Sequence, residues 1–208
     1  MKKATAITHL FVDIGGVLLT NGWDHHTRER AAAHFKLKWS EIEDRHHLVF
    51  ETFEVGKFTL EEYLNMVVFT KKRPFTMAQF RNYMFAQSKP YPEMLALIRE
   101  LKTLYGLKVI VVSNEGRELN SHRIQKFKLD NFVDSFISSS YVHVRKPDPE
   151  IFRLALDTSQ ASLKKVIYLE NTSLFIQIAE SMGIQSILHT DYASTCAQFA
   201  EFGLCLKS

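Results

Sequence analysis

The sequence predicts an α/β protein: a parallel sheet flanked by helices, with a small four-helix unit inserted near its start. Three observations carry this. Short apolar, β-favouring runs alternate with helical periodicity through the second half of the chain. The polar residues Asp13, Ser113, Asn114 and Glu170 each stand at the carboxyl end of such a run. The first two runs lie much further apart than a one-helix crossover requires, so a helical insert lies outside the sheet.

Ile7 to Val12 is the first buried-strand run, and it delivers Asp13. A carboxylate at that position is costly to bury unless it is paired or solvated, which places it at a cleft. Gly15 and Gly16 permit positive φ and let main-chain amides approach an anion. A carboxylate beside an amide cradle suits an aspartyl nucleophile, although a strand that simply ends in a D-x-G turn has the same letters. From Trp23 to Lys89 the rhythm is helical. Ser40 to Glu43, Thr59 to Glu62 and Thr76 to Gln79 have capping-box spacing, and an earlier helix near Asp24 to Phe35 completes four. The expected division is therefore a core of residues 1–20 and 90–208 around a helical unit of residues 21–89.

Pro92 begins the next helix and Gly106 ends it. Leu107 to Val112 is a second strand, closed by Ser113 and Asn114. There follow a helix near Glu118 to Phe127, a strand at Ser135 to Ser138, and a helix from Pro149 capped by Asp148. A strand at Lys165 to Leu169, a helix from Ser173 to Met182, a strand at Gln185 to Leu188 and a helix from Tyr192 to Phe202 complete the chain. In such sheets a ligand sits outside the carboxyl ends of the strands, where the four polar residues converge.

Composition narrows the function. The chain has 208 residues, 46% hydrophobic and 24% charged, enough for one core and an appendage. Its net charge of +3 is scattered and forms no basic block, which argues against a nucleic-acid partner. Cys196 and Cys205 lack metal-type spacing and read as reduced thiols. Thr8, His9 and Asp13 interrupt the N-terminal apolar run, and no stretch reaches membrane-spanning length, so the expected location is cytoplasmic, without a membrane partner.

Four motifs in order resemble those of the haloacid dehalogenase superfamily: Asp13-Ile-Gly-Gly-Val-Leu18, Ser113-Asn114, Lys146 within Arg145-Lys-Pro-Asp-Pro-Glu150, and Leu169-Glu-Asn171 before a helix. The phrase Glu54-Val-Gly-Lys-Phe-Thr59 is similar to one inside that family's small helical (C1-type) cap. The resemblance implies a Rossmann-like core and a phosphatase-like activity. It makes Asp13 the nucleophile and Lys146 the cation that neutralises it and the incoming anion. Ser113, Asn114, Gly15 and Gly16 would bind the transferring group through hydroxyl and amides. Asp13, the Gly15 carbonyl, Glu170 and the Asn171 amide oxygen would hold Mg²⁺.

Two departures from the family pattern stand out. Gly15 replaces the second Asp that usually protonates the leaving oxygen, and Asn171 and Phe175 thin the metal site, so weaker Mg²⁺ binding is expected. The expected activity is Mg²⁺-dependent hydrolysis of a small phosphorylated metabolite through an aspartyl-phosphate. A non-catalytic binding or regulatory protein and a metal-free 2-haloacid dehalogenase are the alternatives. His25, His26, His46 and His47 read as surface histidines of the helical unit, and His143 as a turn residue.

Overall fold

Five strands, β1 (His9–Val12), β2 (Lys108–Ser113), β3 (Ser135–Ser138), β4 (Val166–Glu170) and β5 (Gln185–Leu188), form one parallel sheet in the order β3-β2-β1-β4-β5. They come from a computed structural model that describes residues 5–206. β1 alternates between two apolar layers, as period-2 geometry requires. Leu10 and Val12 join Leu97, Ile98 and Leu101 of α5 (Pro92–Tyr105) on one face, with Phe199 of α10 (Tyr192–Glu201). Phe11 meets Ile151 and Phe152 of α8 (Glu150–Ser159) and Ile176 of α9 (Ser173–Ser181) on the other. Each such side chain, taken fully out of water, contributes roughly 1.5–3 kcal/mol.

Between β1 and α5 lie α1 (His25–His34), α2 (Trp39–Glu54), α3 (Leu60–Val67) and α4 (Met77–Ala86). They bury a cluster of their own, including Ile42, Phe53, Tyr63, Leu64, Phe80 and Met84, to which the core adds Leu119 of α6 (Arg117–Phe127). Asp24 caps α1, and Thr59 and Thr76 close complete capping boxes on α3 and α4. The expected box at Ser40 is absent. Helix α2 starts two residues earlier with Lys38 as an N-cap that makes no side-chain bond, and Trp39 packs edge-on against His25 at 4.9 Å, a tertiary contact invisible in local spacing. One short helix, α7 (Ser139–Val142), went unanticipated because four residues carry no periodicity. No helix among the described residues is long and apolar enough to cross a membrane.

The helical unit is fastened to the core at the end of α2. Gly56 has φ +72°, and a Cβ there would stand 2.1 Å from the Ser140 carbonyl oxygen. Because the obstacle is main chain, no rotamer change relieves it. Gly56→Ala is therefore expected to destabilise the protein by about 2–4 kcal/mol from left-handed strain plus overpacking, read as a lower midpoint in thermal or urea denaturation. An unchanged midpoint would show that this joint is not fixed.

Candidate active site

Because β2, β1 and β4 are adjacent, their carboxyl ends bring Ser113, Asp13 and Glu170 to one edge of the sheet. This is the switch point, where the chain turns to either side of β1. Asp13 is buried, and its main-chain N–H donates to Leu169 O at 3.0 Å. Lys146 arrives from the loop between α7 and α8. Asn114 holds that loop in a two-way clamp: Lys146 N donates to Asn114 Oδ1 and Asn114 Nδ2 donates to Lys146 O, both at 2.8 Å. The carboxamide of Asn114 is thus committed to the Lys146 backbone. The Ser113 hydroxyl is buried with no partner among the described residues.

The Lys146 ammonium donates to Asp13 Oδ1 at 2.9 Å, to Glu170 Oε2 at 2.6 Å and to Tyr168 OH at 3.2 Å. It also lies 5.0 Å from the centre of the Phe175 ring, within cation–π range. The Tyr168 hydroxyl donates to Glu170 Oε2, and Glu170 Oε1 accepts from the main-chain N–H groups of Asn171 and Thr172. Two oxygens with about four lone-pair directions therefore face four protein donors. Glu170, expected as a metal ligand, thus accepts from its own chain at both oxygens.

Burial pushes the Asp13 carboxyl up to about 7, Lys146 pulls it down and Glu170 raises it further. Burial works against the Lys146 ammonium, but Asp13 and Glu170 outweigh it and raise its pKa, so it stays charged. Burial, then Glu170, lifts the Tyr168 phenol well above its ordinary value and keeps it neutral. Two carboxylates share one cation.

Gly16 has φ +75°, and a Cβ there would collide with the Asn171 side chain, so this glycine is required. Gly15 has no such need; its absent Cβ would sit 3.3 Å from Asn21 Oδ1 and 3.8 Å from Asp13 Oδ2. The Asn171 amide sets one polar atom 2.9 Å from Glu170 Oε1 and 3.1 Å from the Gly15 carbonyl oxygen. With nitrogen there it donates to both. With oxygen there, three oxygens meet at about the edge length of an octahedron with 2.0–2.1 Å metal bonds, an arrangement sound only around a cation. Asn171, the Gly15 carbonyl and Glu170 Oε1 are thus spaced for one Mg²⁺ in that amide orientation, with Asp13 lining the same crevice.

The helical unit roofs a crevice of about 380 Å³ over Asp13, lined by Trp23, Arg28, His46, Phe50 and Glu54 among others. His46 is buried, contrary to its reading as a surface residue. Trp23 Nε1 donates to Tyr63 OH at 2.9 Å, and Tyr63 donates to His46 Nδ1 at 2.7 Å. Burial, then Arg28, depresses the His46 imidazole to about 3, so the ring is neutral. His25, His26 and His47 are exposed, and His143 is a left-handed turn residue whose Nδ1–H reaches Val55 O at 2.8 Å. Arg145 completes the joint with Glu54 at 2.9 Å and Glu51 at 3.0 Å.

This architecture has known counterparts. A family enzyme of Bacteroides thetaiotaomicron solved with magnesium and inorganic phosphate superposes with a TM-score of 0.74 at 20% identity, covering 88% of this chain and 93% of that one. L-2-haloacid dehalogenase from Xanthobacter autotrophicus with chloropropionic acid covalently bound gives 0.61 at 14% identity, covering 96% and 85%. Both show the shared fold. Among curated relatives, the phosphorylated carbohydrates phosphatase of Thermotoga maritima is 25% identical over 140 residues, 67% of this chain and 60% of that protein. (S)-2-haloacid dehalogenase 4A of Burkholderia cepacia is 24% identical over 103 residues, 50% of this chain and 44% of that protein. The chain thus spans less than two thirds of either relative. Residues 26–189, most of the chain, match the family described as haloacid dehalogenase-like hydrolase, and with this match the parallel sheet and its strand-end motifs make the chain a member of that family.

Proposed function

We propose that the protein is a phosphate-monoester hydrolase that acts on a small phosphorylated metabolite, in the cytoplasm, through an aspartyl-phosphate on Asp13. One observation carries the reading: Lys146 fixes one oxygen of Asp13, while no hydrogen bond among the described residues engages Oδ2, on the same carboxylate. In the proposed step Oδ2 attacks phosphorus, and the unpartnered Ser113 hydroxyl donates to a phosphoryl oxygen. Asn114 and Tyr168 act as positioning residues for Lys146.

Charge favours a bound cation. Asp13 and Glu170 against Lys146 leave one negative charge in excess, and the crevice arginines Arg28, Arg123 and Arg145 are each paired with a glutamate. A phosphate brought to 4 Å from a carboxylate costs about 4 kcal/mol per charge pair at an effective dielectric of 20. Mg²⁺ held by Asp13, the Gly15 carbonyl, Glu170 and Asn171 would supply the missing positive charge. The similarity to the Thermotoga phosphatase is in keeping with this reading, as the similarity to the Burkholderia dehalogenase is with the alternative.

A panel of phosphate esters tests it: Mg²⁺-dependent phosphate release is expected. Halide release from 2-chloropropionate in the presence of chelator, with no ester turnover, would instead establish the dehalogenase. Phosphate binding with turnover of neither would establish a binding protein. A second measurement addresses the metal alone. Asn171→Asp adds a charge to the ligand set and is expected to tighten Mg²⁺ or Mn²⁺ binding by about tenfold or more, by calorimetry or Mn²⁺ electron paramagnetic resonance. Equal affinity in the two proteins would remove Asn171 from the set.

A further inference from the structure

Gly15 leaves the proposed hydrolysis without the carboxyl that would protonate the leaving oxygen, and we propose that Glu54, carried into the crevice by the last turn of α2, is the proton donor. The inference rests on the phosphatase reading and goes beyond it.

Besides Asp13 and Glu170, the carboxylates lining the crevice are Asp24, Glu54 and Glu115. Asp24 is the N-cap of α1, with Oδ1 taken by Thr27 N. Glu115 is buried and ion-paired with Arg123, also buried. Glu54 is both fixed and open, and unlike Asp24 it is not spent on capping a helix. Its side chain keeps 26% of its surface exposed, and only Oε2 is engaged, by Arg145 Nε at 2.9 Å. Its backbone is bolted to the core: Ser139 Oγ donates to Glu54 O at 2.7 Å and accepts from Glu115 N at 3.0 Å, two residues beyond Ser113. Glu54 therefore rides on the part of the helical unit that cannot swing away from the sheet. Burial raises its carboxyl above the ordinary range, against the pull of Arg145, which favours a held proton.

The step balances. As Asp13 Oδ2 bonds to phosphorus and the P–O bond to the leaving group breaks, protonated Glu54 gives its proton to the departing oxygen. Ionised Glu54 then takes a proton from water as the water oxygen attacks the aspartyl-phosphate. Inorganic phosphate leaves, and Asp13 and protonated Glu54 are restored.

Leaving-group chemistry tests this. An alkyl phosphate needs the proton, whereas an aryl phosphate with an acidic phenol departs without it. In Glu54→Gln, turnover of an alkyl phosphate is expected to fall by about 10²–10⁴. The same variant should release phenolate from p-nitrophenyl phosphate in a burst, followed by slow turnover as the acyl phosphate accumulates. Glu51→Gln, which loses the other Arg145 pair at a 71% exposed side chain, is expected to keep both activities. Equal losses on both esters with no burst, or no loss on either, would overturn the role of Glu54 and leave the phosphatase reading intact. A wild-type protein inactive on every ester overturns both.

Discussion

Asp13→Asn is expected to lower turnover of phosphate esters by about 10⁵-fold or more, the scale of removing a nucleophile, without lowering the melting temperature. The two halves have separate causes. The amide keeps the size of the carboxyl and still accepts from Lys146 through Oδ1, but it cannot form an aspartyl-phosphate. Burial raises the folded-state pKa of Asp13 from 3.8 to about 7. A carboxyl raised on folding binds protons more tightly when folded, so its ionisation subtracts stability progressively between those values and fully above them. The variant lacks that penalty. Its melting temperature at pH 8 should equal or exceed that of the wild type, and the comparison should be least favourable to it near pH 4. Phosphate release within tenfold of wild type would remove Asp13 as the nucleophile.

Lys146→Met is expected to fail in both respects. The substitution leaves Asp13 and Glu170 buried with no cation between them, and breaking a buried pair in this way costs about 3–5 kcal/mol, or roughly 6–20 °C in a chain of this size. The side chain itself fits the apolar wall made by Phe175, so the loss is electrostatic and not a cavity. In the wild type Lys146 contributes in full below pH 10.5, and the contribution is lost as pH climbs through its raised folded value. In the variant the deficit should shrink as the solution is acidified, because protonating the two carboxyls removes the uncompensated charge. Denaturation at pH 8 and pH 5 checks this. A deficit that does not vary with pH would mean that Lys146 stabilises by packing.

Much of this was legible in the letters. The strands and most helices lie within one or two residues of their expected bounds, and Asp13, Ser113 and Glu170 meet at one sheet edge as strand-end residues should. Lys146 joins them although 133 residues separate it from Asp13. What escaped notice has identifiable reasons. Tyr168 reads as one more apolar residue of a strand; only the i, i+2 relation to Glu170 on β4 could have hinted that both face Lys146. His46 looks like half of a surface pair until α2 is packed against Tyr63. Phe175 counts as a lost metal position in the sequence and as the wall beside the ammonium in space. Asn114 keeps its motif position but spends its amide on the Lys146 backbone.

The order of strands and helices, the place of the insert and the polarity of the strand ends were determined by the sequence alone, because apolar period, capping chemistry and glycine placement act among near neighbours. The donors crowded around Glu170, the sharing of Lys146 between two carboxylates and the fastening of Glu54 to Ser139 and Arg145 at the crevice wall were decided only by the tertiary structure. Each depends on which donors and acceptors from distant segments arrive within 3 Å of one another, and no local pattern encodes that distance.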